Sequence, residues 1–178
     1  AAGDRAWADQ FLLDEFGSLR IVTRGRLHQA ADLPGLVAIH SGTPAGLLLY
    51  HLAGDACEVV ELQASPQGRG LGSALLAAAG DLARTAGCRR LWLITTNDNL
   101  PAIRFYTRRG MRLVAVHRGA MAESRQLKPE IPLLGLEGRP IEDEVEFEYL
   151  LRARVRELGL AQHHHRCPGR ARRPRDGG

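Results

Sequence analysis

A glycine-rich turn between a predicted strand and a predicted helix is the feature that most constrains this chain. The turn reads Gln67-Gly68-Arg69-Gly70-Leu71-Gly72; the stretch 56–64 before it is typical of a strand, and the residues behind it repeat at helical spacing up to Gly87. Glycines let the backbone approach a ligand closely, and a helix start offers unpaired N–H groups and a positive dipole end. The pattern therefore predicts either a phosphate-binding loop or an ordinary strand–helix turn.

Two common phosphate-binding loops are excluded by individual residues. A nucleotide triphosphatase loop ends in Gly-Lys-Ser/Thr, but Gly72 is followed directly by Ser73. A dinucleotide fingerprint needs a third glycine, where this chain has Ser73 counting from Gly68, or Leu75 counting from Gly70. The acidic residue expected about 20 positions later is also missing, because residues 86–91 are neutral or basic.

The remaining pattern predicts one mixed α/β domain over residues 1–160. Helical spacing predicts an amphipathic helix at the start of the chain, and two further helices are predicted after residue 70. The predicted helices cover residues 4–16, 71–87 and 100–109, and the predicted strands cover 21–23, 36–40, 45–52, 56–64, 90–95, 111–117 and 144–150. Turn signals between the first strands indicate an antiparallel meander. Residues 119–141 contain three prolines and are expected to be irregular.

The net charge of +4 lies in the C-terminal tail. Residues 163–178 carry five arginines and one aspartate, whereas residues 1–162 are neutral, so the body gives no electrostatic case for a nucleic-acid partner. Residues 161–178 are expected to form a basic, disordered tail. No apolar run is long enough to cross a bilayer and no signal-peptide pattern opens the chain, so a cytoplasmic protein without a membrane partner is expected.

Two segments, taken together and in this order, resemble the acetyl-CoA-binding core of the GNAT superfamily of acetyltransferases. The segments are Gln67-x-x-Gly70-x-Gly72 and Asn99-x-x-Ala102-x-x-Phe105-Tyr106-x-x-x-Gly110-Met111, each following a predicted strand. The resemblance covers residues 45–118 and extends less specifically to both sides. It implies a mostly antiparallel central sheet with helices on both faces and a splayed strand pair that holds acetyl-CoA. The 23 arginines against a single lysine favour a bacterial member from a GC-rich genome.

The resemblance also implies which residues contact acetyl-CoA. The amides of residues 67–72 would wrap the pyrophosphate, with the side chains of Arg69 and Ser73 adding contacts. The strand end before the turn would bind the pantetheine arm through its backbone, and Asn99 would contact that arm or cap its own helix. The implied set is Leu62, Gln63, Ala64, Gln67, Gly68, Arg69, Gly70, Leu71, Gly72, Ser73, Asn99, Ala102 and Tyr106. One departure is a loop after Ala64 that is about two residues shorter than in many family members.

Acetyl transfer to an amine needs a base for the attacking nitrogen and a proton donor for the departing thiolate. Glu61, on an otherwise apolar strand, is the candidate base, because partial burial raises the pKa of a carboxyl group; alternatively, it is an edge or solvent-facing glutamate. Tyr106 is the candidate acid, or else a core aromatic beside Phe105. Glu58 is expected to face outward. Asp143 and Glu144, at the expected cleft mouth, either attract a cationic amine or belong to a solvated acidic turn.

The predicted function is therefore direct transfer of an acetyl group from acetyl-CoA to a primary amine of a small molecule or peptide, in a ternary complex. The three cysteines form no CxxC pair, and no metal is expected. The alternative is a non-catalytic acyl-CoA-binding or regulatory module of the same fold. Homodimers are common in the family that the chain resembles, and no stripe in the sequence specifies an interface.

Overall fold

The fold combines four helices with eight strands in a computed structural model that describes residues 2–151. The helices are α1 (Ala2–Phe16), α2 (Leu71–Thr85), α3 (Leu100–Arg108) and α4 (Ala120–Leu127). The strands are β1 (Arg20–Thr23), β2 (Arg26–Gln29), β3 (Gly35–His40), β4 (Thr43–Ala53), β5 (Ala56–Ala64), β6 (Arg90–Thr96), β7 (Arg112–His117) and β8 (Glu144–Leu150). None of these helices is long and apolar enough to cross a membrane. The predicted tail at 161–178 lies outside the described residues.

A six-stranded sheet forms the centre of the fold, in the order β3-β4-β5-β6-β8-β7. Among the described strands only β5 and β6 pair in parallel, so the predicted mixed, mostly antiparallel sheet is confirmed. Strands β1 and β2 form a separate antiparallel hairpin. Strand β2 was not predicted, because Arg26–Gln29 contains a single aliphatic residue and its one buried side chain is His28.

Strands β5 and β6 separate along their length, as the splayed-pair prediction required. Their pairing runs from Ala56↔Arg90 to Val59↔Leu93, after which the two strands, both fully described, no longer pair with each other. A β-bulge in the β4–β5 pairing, between Leu49 and Tyr50, leaves Val60 without a partner on β4. A bulge bends its strand and increases the local twist, so it is well suited to turn β5 away from β6.

Each face of the sheet carries its own apolar core. Three consecutive β4 residues show the alternation: Leu48 packs on the side of α2 and α3, whereas Leu47 and Leu49 pack on the side of α1. The α1 face also receives Leu12, and the opposite face receives Phe147. All five side chains are almost fully buried. The prediction of helices on both faces is confirmed.

The prediction that residues 119–141 are irregular is wrong for α4. This helix begins after Gly119, whose φ is +71°, and ends at Leu127, one residue before the Lys128–Pro129 pair. Proline disfavours helix in the residue before it, so the first proline of the segment stops α4 instead of preventing it. Met121 and Ser124, three residues apart, form the buried side of the helix.

The segment that follows α4, residues 128–143, packs against the end of β6, and we call it the strap. Asn97 holds it at two points: Nδ2 donates to the carbonyl of Pro140 at 3.0 Å, and Oδ1 accepts from the N–H groups of Glu142 and Asp143. Asp98 holds it at a third point, because Oδ2 accepts from the N–H of Leu136 at 3.0 Å. The strap is therefore fixed to the end of β6.

Replacing Gly135 with alanine should detach this part of the strap. A Cβ at Gly135 would lie 1.9 Å from Oδ2 of Asp98 and 2.9 Å from Cδ1 of Ile141, distances that no methyl group tolerates. We expect the free energy of unfolding to fall by about 2 kcal/mol, measured by urea denaturation. Asp98→Ala removes the two nearest obstructing atoms, so the double variant should lose less free energy of unfolding than the sum of the two single changes. Additive losses would contradict this explanation.

Candidate functional site

The glycine turn leaves the start of α2 open to an anion. Gly70 is the N-cap residue of α2 with a φ of +77°, and no side chain in the described chain caps this end. The first three N–H groups of the helix, on Leu71, Gly72 and Ser73, therefore have no partner within α2. Gly68 has a φ of +78°. Within residues 2–151 no atom lies close enough to contact a Cβ at Gly68 or Gly70, so these glycines serve the backbone conformation and the turn surface stays accessible.

Gly72 has a different role, because it brings α2 and α3 together. A Cβ at Gly72 would lie 3.4 Å from Cζ of Phe105, so the two helices are in close contact there. Beside this contact, Nε of Arg109 donates to Oγ of Ser73 at 2.7 Å. Arg109 was not a predicted site residue, because only the packing of α3 against α2 brings it to the turn.

The other polar side chains of the turn are exposed. Gln67 and Arg69 both face solvent, and Arg69 forms no ion pair with any residue of the described range. Both residues are therefore accessible for the contacts with a phosphate group that were predicted for them. No carboxylate occurs in the chain between Glu61 and Asp81, so the local charge is positive.

Leu62, Gln63 and Ala64 lie on the half of β5 that has left β6. On their other edge they pair with β4, where Gly46 lies opposite Ala64. The side chain of Gln63 donates to Oε2 of Glu15 on α1 at 3.0 Å, so it is directed away from the opening. What this part of β5 offers to the opening is therefore backbone groups, the groups that the resemblance assigned to the pantetheine arm, except for the N–H of Leu62, which donates to Oε1 of Glu61.

Glu61 lies immediately after the bulged residue Val60, opposite Leu49 of β4, and its side chain is partly buried. Burial raises the pKa of the Glu61 carboxyl group to about 7. A hydrogen bond of 3.1 Å from the N–H of Leu62 to Oε1 and the positive charge of Lys128 oppose this shift without cancelling it. Such a carboxyl group gains and loses a proton near neutral pH.

Tyr106 is buried on α3, and its hydroxyl lies within the electrostatic range of Glu61. Burial, followed by the negative charge of Glu61, raises the pKa of the Tyr106 hydroxyl above its ordinary value. The ring packs edge-on against Phe105, with centroids 5.3 Å apart, and lies 5.7 Å from the ring of Phe147. Tyr106 is therefore a core aromatic that also keeps a neutral hydroxyl near Glu61.

Lys128 was not among the candidates, although it is the only lysine in the chain. Its Nζ donates to the carbonyl of Arg20 at 2.6 Å, and its charge acts on Glu61 from the start of the strap. Burial lowers the pKa of the Lys128 ammonium group. Lys128 could not be predicted from its neighbours in the sequence, because it belongs to the site only through its effect on the distant residue Glu61.

Asn99 caps α3, which is one of the two predicted roles. Its Oδ1 accepts from the N–H of Ala102 at 3.2 Å, so that N–H is occupied and only the Nδ2 group of Asn99 and the methyl group of Ala102 remain for a ligand. Pro101 lies in the first turn of the helix, as predicted. Gly110, with a φ of +80°, follows the last residue of the C-terminal turn.

Two expectations about other glutamates are wrong. Glu58 is buried, because the β1–β2 hairpin covers its face of β5 and Oγ1 of Thr23 donates to its carboxylate. Glu144 is almost fully buried on β8, where Oγ of Ser124 and the N–H of Arg24 each donate to Oε1 at 3.3 Å. It therefore does not belong to a solvated acidic turn.

The geometry agrees with the comparison with protein families. The sequence profile of the acetyltransferase (GNAT) family matches residues 5–111, and the chain belongs to this family. The uncharacterised protein YdhI of Bacillus subtilis is 35% identical over 142 residues, covering 79% of this chain and 89% of that protein. A streptothricin acetyltransferase of Streptomyces lavendulae is 37% identical over 70 residues, which is 37% of each chain. The resemblance found in the two motifs is thereby confirmed.

Known structures share the same fold. A Bacillus subtilis acetyltransferase in complex with CoA superposes with a TM-score of 0.56 at 19% identity, covering 65% of this chain and 75% of the other. A GNAT family acetyltransferase from Elizabethkingia anophelis with acetyl-CoA bound superposes with a TM-score of 0.55 at 17% identity, covering 65% of this chain and 74% of the other. An IAA acetyltransferase from Bacillus cereus superposes with a TM-score of 0.57 at 21% identity, covering 66% of this chain and 78% of the other. These likenesses confirm the predicted fold class.

Proposed function

We propose that this protein transfers the acetyl group of acetyl-CoA to a primary amine of a small molecule or peptide, directly and within a ternary complex. The observation that carries the proposal is Glu61, a carboxyl group with a pKa of about 7 beside the opening between β5 and β6. Related folds with CoA or acetyl-CoA bound support the choice of the acetyl donor.

The residues of the glycine turn fit the phosphates of CoA. The N–H groups of residues 67–73 would hold the pyrophosphate, because the start of α2 has free donors and a positive dipole end. The backbone of residues 62–64 and the Nδ2 group of Asn99 would hold the pantetheine arm. Acetyl-CoA, when bound, supplies a thioester whose thiolate is a fairly good leaving group.

Glu61 would remove a proton from the incoming ammonium group, because only a neutral amine can attack. A base is most effective when its pKa is close to the working pH, and the pKa of Glu61 meets this condition near pH 7. As the C–N bond forms and the C–S bond breaks, Tyr106 would donate its hydroxyl proton to the departing sulfur, and the second proton that the nitrogen loses would restore the Tyr106 hydroxyl. Its raised pKa keeps the hydroxyl protonated across the physiological range, so Tyr106 is suited to be an acid and not a base.

Changing Tyr106 to phenylalanine should lower kcat by about 10-fold, since it removes the proton donor while keeping the ring in the core. Steady-state thiol release under saturating acetyl-CoA measures the effect. Tyr50→Phe is the matched control, because Tyr50 is a partly buried tyrosine that packs against the same core. Equal rates for the wild type and Y106F would exclude Tyr106 as the acid.

Two measurements test the proposed function. Calorimetric titration with acetyl-CoA should give saturable binding near one site per chain, and a screen of primary amines should then identify acceptors that release CoA thiol. Absence of binding to the folded protein would refute the proposal. Binding without thiol release for any amine class would favour the alternative, a non-catalytic acyl-CoA-binding module.

A further inference from the structure

Arg109 is held rigidly beside the glycine turn, although it follows the end of α3. Its Nε donates to Oγ of Ser73, in the first turn of α2, at 2.7 Å. The guanidinium carbon lies 5.0 Å from the ring centroid of Phe105, a cation–π distance. The backbone is fixed as well, because the carbonyl of Arg109 accepts from the hydroxyl of Tyr149 and its N–H donates to the carbonyl of Phe105 at 3.1 Å.

These contacts leave the outer part of the guanidinium free. Ser73 uses Nε and Phe105 covers one face, so Nη1 and Nη2 have no hydrogen-bond partner in the described range. No carboxylate among residues 2–151 forms an ion pair with Arg109, which is exposed. Arg90 and Arg112 differ, since both pair with glutamates of β8. Arg109 is thus a positioned cation whose two terminal donors are open.

We propose that Arg109 binds a phosphate group of CoA through this open pair of donors. A guanidinium group with two parallel N–H donors matches two phosphate oxygens, which gives strong and directional hydrogen bonds. Stacking on Phe105 and the bond to Ser73 remove most of the side-chain freedom that such binding would otherwise lose. The inference rests on the proposed function, because it takes CoA as the ligand.

The phosphate group has two sources in CoA, the pyrophosphate and the 3′-phosphate, and the experiment separates them. Full-length wild type and Arg109→Ala are titrated by calorimetry with CoA and with 3′-dephospho-CoA. We expect R109A to bind CoA about 10-fold more weakly. The same loss with both ligands assigns Arg109 to the pyrophosphate, whereas a loss confined to CoA assigns it to the 3′-phosphate.

Arg108→Ala is the matched control, because Arg108 is an exposed arginine on the same helix end without a contact to Ser73 or Phe105 in the described chain. Its affinity should stay within 2-fold of the wild type. Arg109→Lys keeps the charge but loses the two parallel N–H donors. This variant should bind CoA about 3-fold more weakly than the wild type, and it provides the comparison if R109A fails to fold. Affinities of R109A or R109K equal to that of R108A would overturn the proposal. A wild type that does not bind CoA would instead refute the proposed function.

Discussion

Glu61→Gln should lower kcat/KM by about 10²- to 10³-fold and abolish the pH dependence of the reaction near neutrality. Only ionised Glu61 can accept a proton, so the wild-type rate should rise through a pKa of about 7 and level off above it. Glutamine cannot accept the proton at any pH. Thiol-release rates between pH 5.5 and 9, with a good amine acceptor, measure both effects.

The control for this change is Glu123→Gln, which removes an exposed carboxylate from α4. It should keep the wild-type rate and the wild-type pH profile. If E61Q retained the rising limb near pH 7, another group would be the base, and the alternative of Glu61 as a glutamate without a catalytic role would be favoured.

The same substitution should make the protein more stable above pH 7. The pKa of Glu61 rises on folding from 4.5 to about 7, so the folded state favours the protonated form. The corresponding stability is fully present below pH 4.5 and is lost as pH rises through about 7. E61Q resembles the protonated form and should not show this loss. Urea denaturation at pH 4.5 and pH 8 should therefore show that the free energy of unfolding decreases less between these two pH values for E61Q than for the wild type.

Gly70→Val should weaken CoA binding by about 10- to 100-fold. Gly70 has a φ of +77° at the N-cap of α2, a conformation that costs a β-branched residue about 1–2 kcal/mol. The added side chain would also enter the open surface where the first N–H groups of α2 are to meet the phosphates. Calorimetric titration with CoA measures the affinity, and thermal unfolding measures the strain.

Gly87→Val separates these two effects. Gly87 lies just beyond the other end of α2 with a φ of +82°, and no atom of the described residues approaches the position of its missing Cβ. Valine should lower the stability about as much as at Gly70 but leave CoA affinity unchanged. Equal affinities for G70V and G87V would show that the turn does not contact the phosphates.

Much of the framework of the site was predictable, because its signals are local. The mostly apolar run of β5, the helical spacing over α2 and the glycines of the turn each act over a few residues, and the structure has these elements at or near the predicted bounds. Asn99 before Pro101 likewise predicted the start of α3. Where a backbone conformation or a cap is set by neighbours in the chain, the sequence alone determined the outcome.

Tertiary structure decided the chemical environment of these elements. The pKa of Glu61 depends on its burial and on Lys128, which is 67 positions later in the chain. Glu58 is buried because a hairpin with weak strand patterning covers it, and Arg109 reaches Ser73 because two helices pack together. Burial, charge and hydrogen bonding depend on which distant residues become neighbours. Local sequence patterns determine where the backbone of the site runs, and long-range packing determines what its side chains can do.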